Sequence, residues 1–398
     1  MKNPPAAAHV HRRFAPTALM LGNIVTGCSV LAPAGMLGEL SSGLGVTVRD
    51  AGLLITFGAI MLCVGSPLTA WLTSRIERRL LLTATLLVLA LANAASAFAP
   101  DYASLLVIRL VMLGVGALYT PQAAGTAALI VPTEKRGSTI AYIFLGWSLA
   151  AAVGLPLITF VASRYGWRAV YGGIGLTGFI GFLLLVWRLP RGLVGTPVDL
   201  KTWTDVGRNR TIVLLLLITT LQMSGQFVVF TFMGPLLTKL THAGLDAVGL
   251  VFALYGIFGF IGIAFATRIV DIWGAYKTSL LFTTLLLAGV TGWALSAGTY
   301  PLMACSVAVW GLGFASTNSM QQVRLVIAAP TLASASVSLN TSVLYVGQAV
   351  GSAIGGLLYA RDLWYAMGYV SMGFVALALV AVTLSIPRRA AALSAAPS

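Results

Sequence analysis

LLVIRLVMLGVGALYTPQ, from Leu105 to Gln122, decides how this chain is read. It has the length and apolarity of a helix that crosses a bilayer, whose hydrocarbon core of about 30 Å takes about 20 apolar residues. One charge, Arg109, stands well inside the run. An ionisable group at that depth is costly and marks a functional residue by default. The glycine pair Gly114 and Gly116 returns as Gly311 and Gly313 in WGLGFAST, which points to an internal duplication.

The rest of the chain has the same character. Of 398 residues, 58% are hydrophobic and 9% charged, with a mean hydropathy of +0.94, outside the range of soluble domains. Twelve apolar stretches, from Phe14 to Leu37 through to Leu363 to Ile386, alternate with short polar breaks. They predict an all-α integral membrane protein of twelve transmembrane helices. A net charge of +14 would suit nucleic acid in a soluble chain. Here the charges sort by side. With the N-terminus inside, cytoplasmic breaks and tails hold most of them, among them Arg75, Arg78, Arg79, Arg188, Arg208, Arg210, Arg268, Lys277 and Arg324, while the outer breaks hold only Arg49, Arg164, Arg168, Lys239 and Arg361. Positive charge favours the inside over short loops, so both termini are expected in the cytoplasm and nucleic acid is removed as a partner.

Met1 to Ala34 has the outline of a secretory signal, but its apolar run is too long and its removal would break the duplication. Cys28, Cys63 and Cys305 fall in apolar spans, far apart and without histidine partners. They read as packing residues, and nothing in the chain asks for a metal or cofactor.

One register shift of 197 positions carries Gly52 to Gly249, Gly114 to Gly311, Thr120 to Thr317, Gly154 to Gly351, Arg164 to Arg361 and Trp167 to Trp364. Two pseudo-symmetric six-helix halves follow, over residues 1–190 and 211–398, joined by a polar, basic cytoplasmic linker at 191–210. Parallel repeats of this kind place a transport site between the halves near the midplane.

The residues then resemble a family, the major facilitator superfamily, and within it the drug:proton antiporter-1 group with its arabinose-efflux-permease-like members. That group has a turn motif, Gly-x-Leu-Ala-Asp-Arg-x-Gly-Arg-Arg, between its second and third helices. The stretch Ala70 to Arg79 matches it at Leu72, Arg75, Arg78 and Arg79, with Ser74 at the acidic position and Glu77 at the second glycine. The equivalent turn in the second half keeps Asp271 and Gly274. Either a charge-pair latch or a solvated basic loop fits these turns. The fourth helix resembles the group's arginine-containing motif, and Gly154-Leu155-Pro156 on the fifth resembles its antiporter motif. Gly146, Ala150 and Gly154, like Gly347, Gly351 and Gly355, recur every four residues, a face that lets helices approach closely whether it serves packing or coupling.

The resemblance implies a solute cavity lined by helices one, four, seven and ten. Their polar residues are Asn23, Thr26 and Ser29; Arg109, Tyr119 and Gln122; Gln222, Ser224 and Gln226; Trp310 and Asn318. Asn340 and Gln348 on the eleventh are secondary candidates. All ten acidic residues, and His9, His11 and His242, lie in breaks or at helix ends, so proton coupling is implied by resemblance alone. No phosphate-binding loop or paired catalytic constellation is present, so no enzyme is expected. The expectation is a secondary transporter of the plasma (inner) membrane. It would act as a monomer in the lipid bilayer, moving a small organic solute outward by alternating access, with protons as a possible second partner. The competing readings are a carrier or exchanger of an anionic solute that uses Arg109, and a membrane sensor without flux.

Overall fold

The computed structural model describes residues 14–73, 76–132, 136–193, 205–329 and 332–386. Within them lie eleven helices long and apolar enough to cross a membrane. One of these, Leu245–Leu295, has 51 residues and turns back at Gly274, with φ 77° and ψ 157°. At 1.5 Å per residue it is more than twice as long as a ~30 Å core requires, so it crosses twice. Only glycine takes this backbone geometry without strain, which explains why one residue can reverse the chain.

The twelve spans are Ala15–Gly35, Val48–Leu72, Arg78–Ala97, Tyr102–Gly116 continued by Tyr119–Ile130, Arg136–Leu149 continued into Leu155–Tyr165, Trp167–Arg188, Arg210–Phe230, the two arms of Leu245–Leu295, Tyr300–Ala328, Ala333–Ala360 and Trp364–Leu384. Sequence periodicity does not show where four of them break or bend, three of them at a proline. Proline has no N–H for the carbonyl four residues back and crowds it. The first span was expected to run to Leu37; it contains Pro33 and breaks at Met36, after which a short tip helix Leu37–Leu44 begins. The seventh stops at Phe230 although its apolar run continues to Leu237, and Pro235 falls in the first turn of a second tip helix, Met233–Thr241, where a missing N–H costs little. The fourth bends at Ala117 and Leu118, four and three residues ahead of Pro121. The fifth widens into a π turn at Ala150–Gly154, just ahead of Pro156.

The bundle is two six-helix halves. Inside one half the first span packs on the fifth and the third on the sixth; in the other the seventh packs on the eleventh and the twelfth. The halves meet along two seams, second span on eleventh and fifth on eighth. These are one contact seen twice, because the duplication makes the second equivalent to the eighth and the fifth to the eleventh. At one end of the bundle the tip helices also touch. That end carries Met36 and Phe232; the other carries Arg78 and Arg324. Met36, Leu37, Leu40, Met233, Leu236 and Leu237 are buried, so the Met36 end is closed by apolar side chains from both halves. At the same end Asp101 caps the fourth span, accepting the Ser104 N–H at 2.8 Å, and this bond holds its carboxyl below the usual carboxylate range.

Candidate solute-binding site between the halves

Arg109 is 1% exposed, and its guanidinium is held by main-chain carbonyls. Nε donates to Leu54 O at 2.7 Å, and the two terminal nitrogens donate to Ser29 O and Val30 O at 2.9 Å each. The Ser29 carbonyl is the one that Pro33 leaves without an N–H partner in its own helix. In hydrocarbon such a group must be satisfied by a neighbour, and Arg109 supplies the donor. The planar fork therefore ties the fourth span to the first and second at once. The Tyr171 hydroxyl lies beside it without reaching hydrogen-bond geometry.

The other polar candidates of this half are also engaged with protein. Asn23 donates to Ile143 O at 3.0 Å and accepts from Thr120 at 2.8 Å, and Thr120 in turn accepts from the Trp147 indole at 3.0 Å. This knits spans one, four and five. Thr26 and Ser29 return their hydroxyls to their own helix at Gly22 O and Val25 O, and Ser29 also accepts from Asn93. Tyr119 is fully buried and bonds Leu19 O at 3.3 Å, while Gln122 accepts from Arg78. In the second half, Asn340 donates to Asn318 at 2.9 Å and accepts from Thr219 at 2.7 Å, knitting spans seven, ten and eleven. Gln222 donates to Thr283 at 2.9 Å, and Gln226 accepts from the Trp310 indole at 3.1 Å. Ser224 is buried and gives its main chain to the glycine face of the eleventh span.

The glycine stripes pack inside their own halves. A Cβ on Gly146 would lie 2.5 Å from Met20 O, and one on Gly154 would lie 2.7 Å from the Cys28 sulfur, so the fifth span presses on the first. Gly347, Gly351 and Gly355 lie against the main chain of the seventh span at Thr220, Ser224 and Val228. Different faces of the same helices form the seams. Thr56 and Ser352 share a hydrogen bond of 3.0 Å between spans two and eleven. Gly256 on the eighth span lies so close to the π turn that a Cβ there would overlap the main chain of Ala151 and Ala152. Pro156 thus acts through the bulge it sits behind, which pushes Ala152 against the opposite half.

Of the turn residues, Ser74 and Arg75 lie outside the described residues. Among the described residues Arg78 and Arg79 do not pair with acids. Arg78 reaches Gln122 by its side chain and Leu193 O by its N–H at 2.7 Å, and Arg79 reaches Val186 O. Glu77, where the family motif has glycine, accepts the Gly192 N–H at 2.6 Å and so docks the start of the linker. Asp271 is exposed, and among the described residues its carboxylate has no hydrogen-bond or ion-pair partner; the second-half turn depends on Gly274 instead.

Several polar groups remain unengaged among the described residues, with the hydroxyls of Ser66, Tyr171, Thr231 and Ser342 fully enclosed and without a partner. Gln348 is 3% exposed and Tyr345 8% exposed, and no hydrogen bond reaches either side chain among the described residues. The sequence ranks Gln348 below the residues of the inner helices and gives no sign of Tyr345, since the neighbours of the eleventh span cannot be read from composition.

This geometry has known counterparts. Residues 19–349 match the family model described as Major Facilitator Superfamily. The chain belongs to the major facilitator superfamily. This superfamily member is 30% identical over 352 residues to the inner membrane transport protein YdhP of Escherichia coli (strain K12), covering 88% of this chain and 90% of that protein. It is 29% identical to a chloramphenicol resistance protein of Streptomyces lividans, covering 94% and 95%. Its fold is similar to that of the nucleoside transporter NupG, with a TM-score of 0.74 at 11% identity over 94% of this chain and 100% of that one. As a member of this superfamily the chain is a multi-pass membrane transporter and not an enzyme.

Proposed function

We propose that this superfamily member exports a small organic solute by alternating access, with the solute held between the halves and released when the seams at the Met36 end part. The observation that carries this is the division of labour on the fifth and eleventh spans: one face locks each to its own half, and another meets the opposite half. Each half is therefore a rigid body with a separable seam, as rocking of one repeat against the other requires. The asymmetry of basic residues supports an orientation with the Arg78 end, the linker and both termini in the cytoplasm and the closed Met36 end outward. A reporter fused after Ser398 that reads external would contradict this orientation.

Resemblance to the drug:proton antiporter-1 group implies proton coupling, and the chloramphenicol resistance relative fits an exporter. A facilitative carrier is the second reading, favoured because the chain places no carboxylate or histidine in the middle of a span. The variant of that reading in which Arg109 pairs with an anionic solute is weakened by the three carbonyls already on its guanidinium. Purified protein in liposomes distinguishes the readings. Counterflow of a preloaded solute is expected in either case, and an imposed pH gradient should drive net uphill movement if protons are coupled. Flux indifferent to the gradient would leave the facilitative carrier; no flux for any solute would sink transport itself.

A further inference from the structure

We propose that a groove on the outside of the eighth and ninth spans, at the Arg324 end of the bundle, holds the headgroup and upper acyl chain of one anionic phospholipid. Trp273, Lys277, Leu280, Leu281 and Thr284 line it, and at about 420 Å³ it falls in the size range of small-ligand clefts, about 300 to 1,000 Å³. Its place follows from the reversal at Gly274, which leaves Trp273 at the end of the eighth span and Lys277 in the first turn of the ninth. The neighbouring Tyr276 turns inward, where the Arg324 guanidinium lies 5.5 Å from its ring, and Lys277 is left exposed on the outside. Lys277, Leu280, Leu281 and Thr284 are spaced three, four and seven residues apart on one helix face, and at 1.5 Å per residue they run about 10 Å into the bilayer. The Thr284 hydroxyl returns to Leu280 O at 2.9 Å, so beyond Lys277 the groove is apolar. The Lys277 ammonium and the Trp273 indole N–H, by contrast, have no hydrogen-bond or ion-pair partner among the described residues.

The duplication supplies an internal comparison. The 197-residue shift carries Trp273 back to Ile76, Lys277 to Leu80 and Thr284 to Leu87. Leu80 is 60% exposed and apolar, as a side chain that faces lipid tails should be. At the same depth the second half sets an ammonium beside an indole. A lysine facing lipid is costly unless its head reaches the interface or meets an anion, and tryptophan is a side chain that settles at that interface. A lipid phosphate there would meet both free N–H donors at once, and its chain would cover Leu280 and Leu281, which a free phosphate would leave bare. Headgroup charge follows from what is missing around Lys277. Asp271 stands in the same turn but does not line the groove, and among the described residues no carboxylate does. The ammonium of a zwitterionic headgroup would therefore find no partner, whereas a headgroup of net negative charge is attracted to the lysine. In the orientation proposed above, the lipid comes from the cytoplasmic leaflet.

Brominated lipids, which quench tryptophan fluorescence on contact, test this with the purified full-length protein. Brominated phosphatidylglycerol, phosphatidylethanolamine or phosphatidylcholine is titrated into unlabelled phosphatidylcholine, and the signal of Trp273 is taken as the difference between the wild type and Trp273→Phe. Half-maximal quenching of that signal should need about fivefold less phosphatidylglycerol than either zwitterionic lipid, the equivalent of roughly 1 kcal/mol. Lys277→Gln should abolish the preference and Lys277→Arg should keep it. Inorganic phosphate at matched ionic strength should not displace the lipid. The proposal is overturned if the three lipids quench the wild type alike, if Lys277→Gln retains the preference, or if inorganic phosphate removes it.

Discussion

Arg109→Ala should lower the stability of the bundle by about 3 kcal/mol and leave the transport properties of the surviving protein close to wild type. The size follows from the membrane reference state. An arginine at the middle of an isolated transmembrane helix costs about 2.5 to 3.5 kcal/mol on insertion scales, and it persists only where the folded bundle compensates it. Here the compensation comes from Leu54 O, Ser29 O and Val30 O. Alanine removes both the cost in the separated helices and the bonds in the bundle, so the difference appears as lost association of the fourth span with the first and second. Arg109→Lys should be at least as damaging, because an ammonium keeps the charge but cannot reach three carbonyls on two helices with one planar fork. Melting of purified variants, with flux normalised to folded protein, separates this from a solute-binding role. Wild-type stability with abolished flux in both variants would return Arg109 to the solute.

That result would also speak to what the sequence alone could show. The spans, the duplication and the depth of Arg109 are legible because polarity contrasts sharply with apolar runs in so hydrophobic a chain. The cage is half legible: Arg109 in hydrocarbon demands carbonyls, and Pro33 exposes one at Ser29, but only packing brings the two together. The inner-helix polar residues illustrate the limit. Asn23 and Thr120 look the same in sequence as Gln348, yet the first two bond each other and no hydrogen bond reaches the third among the described residues. Hydrogen-bond partners three helices away leave no trace in residue type. The packed rings of Tyr255, Trp310 and Phe314 are invisible for another reason. In helices apolar all round, periodicity does not mark which face is core, so Tyr255 and Phe314 have no contrast with the lipid-facing Phe260 and Phe265. The π turn at Ala150–Gly154 shows an intermediate case, where Pro156 announces a disturbance but not its contact with Gly256.

The central claim, that transport requires the seam between spans two and eleven to part at the Met36 end, is tested most directly by locking it. Thr56 and Ser352 are 3.0 Å apart at their hydroxyls, so cysteines at these two positions would present their sulfurs to each other across the seam. The experiment pairs Thr56→Cys with Ser352→Cys in a chain whose Cys28, Cys63 and Cys305 are replaced, and measures counterflow before oxidation, after it and after reduction. A rocking mechanism predicts that the oxidised protein falls below about a tenth of its reduced rate, since a covalent tie removes one of the two states it alternates between. Reduction should restore the flux. Full flux through protein shown to be completely cross-linked would contradict the account.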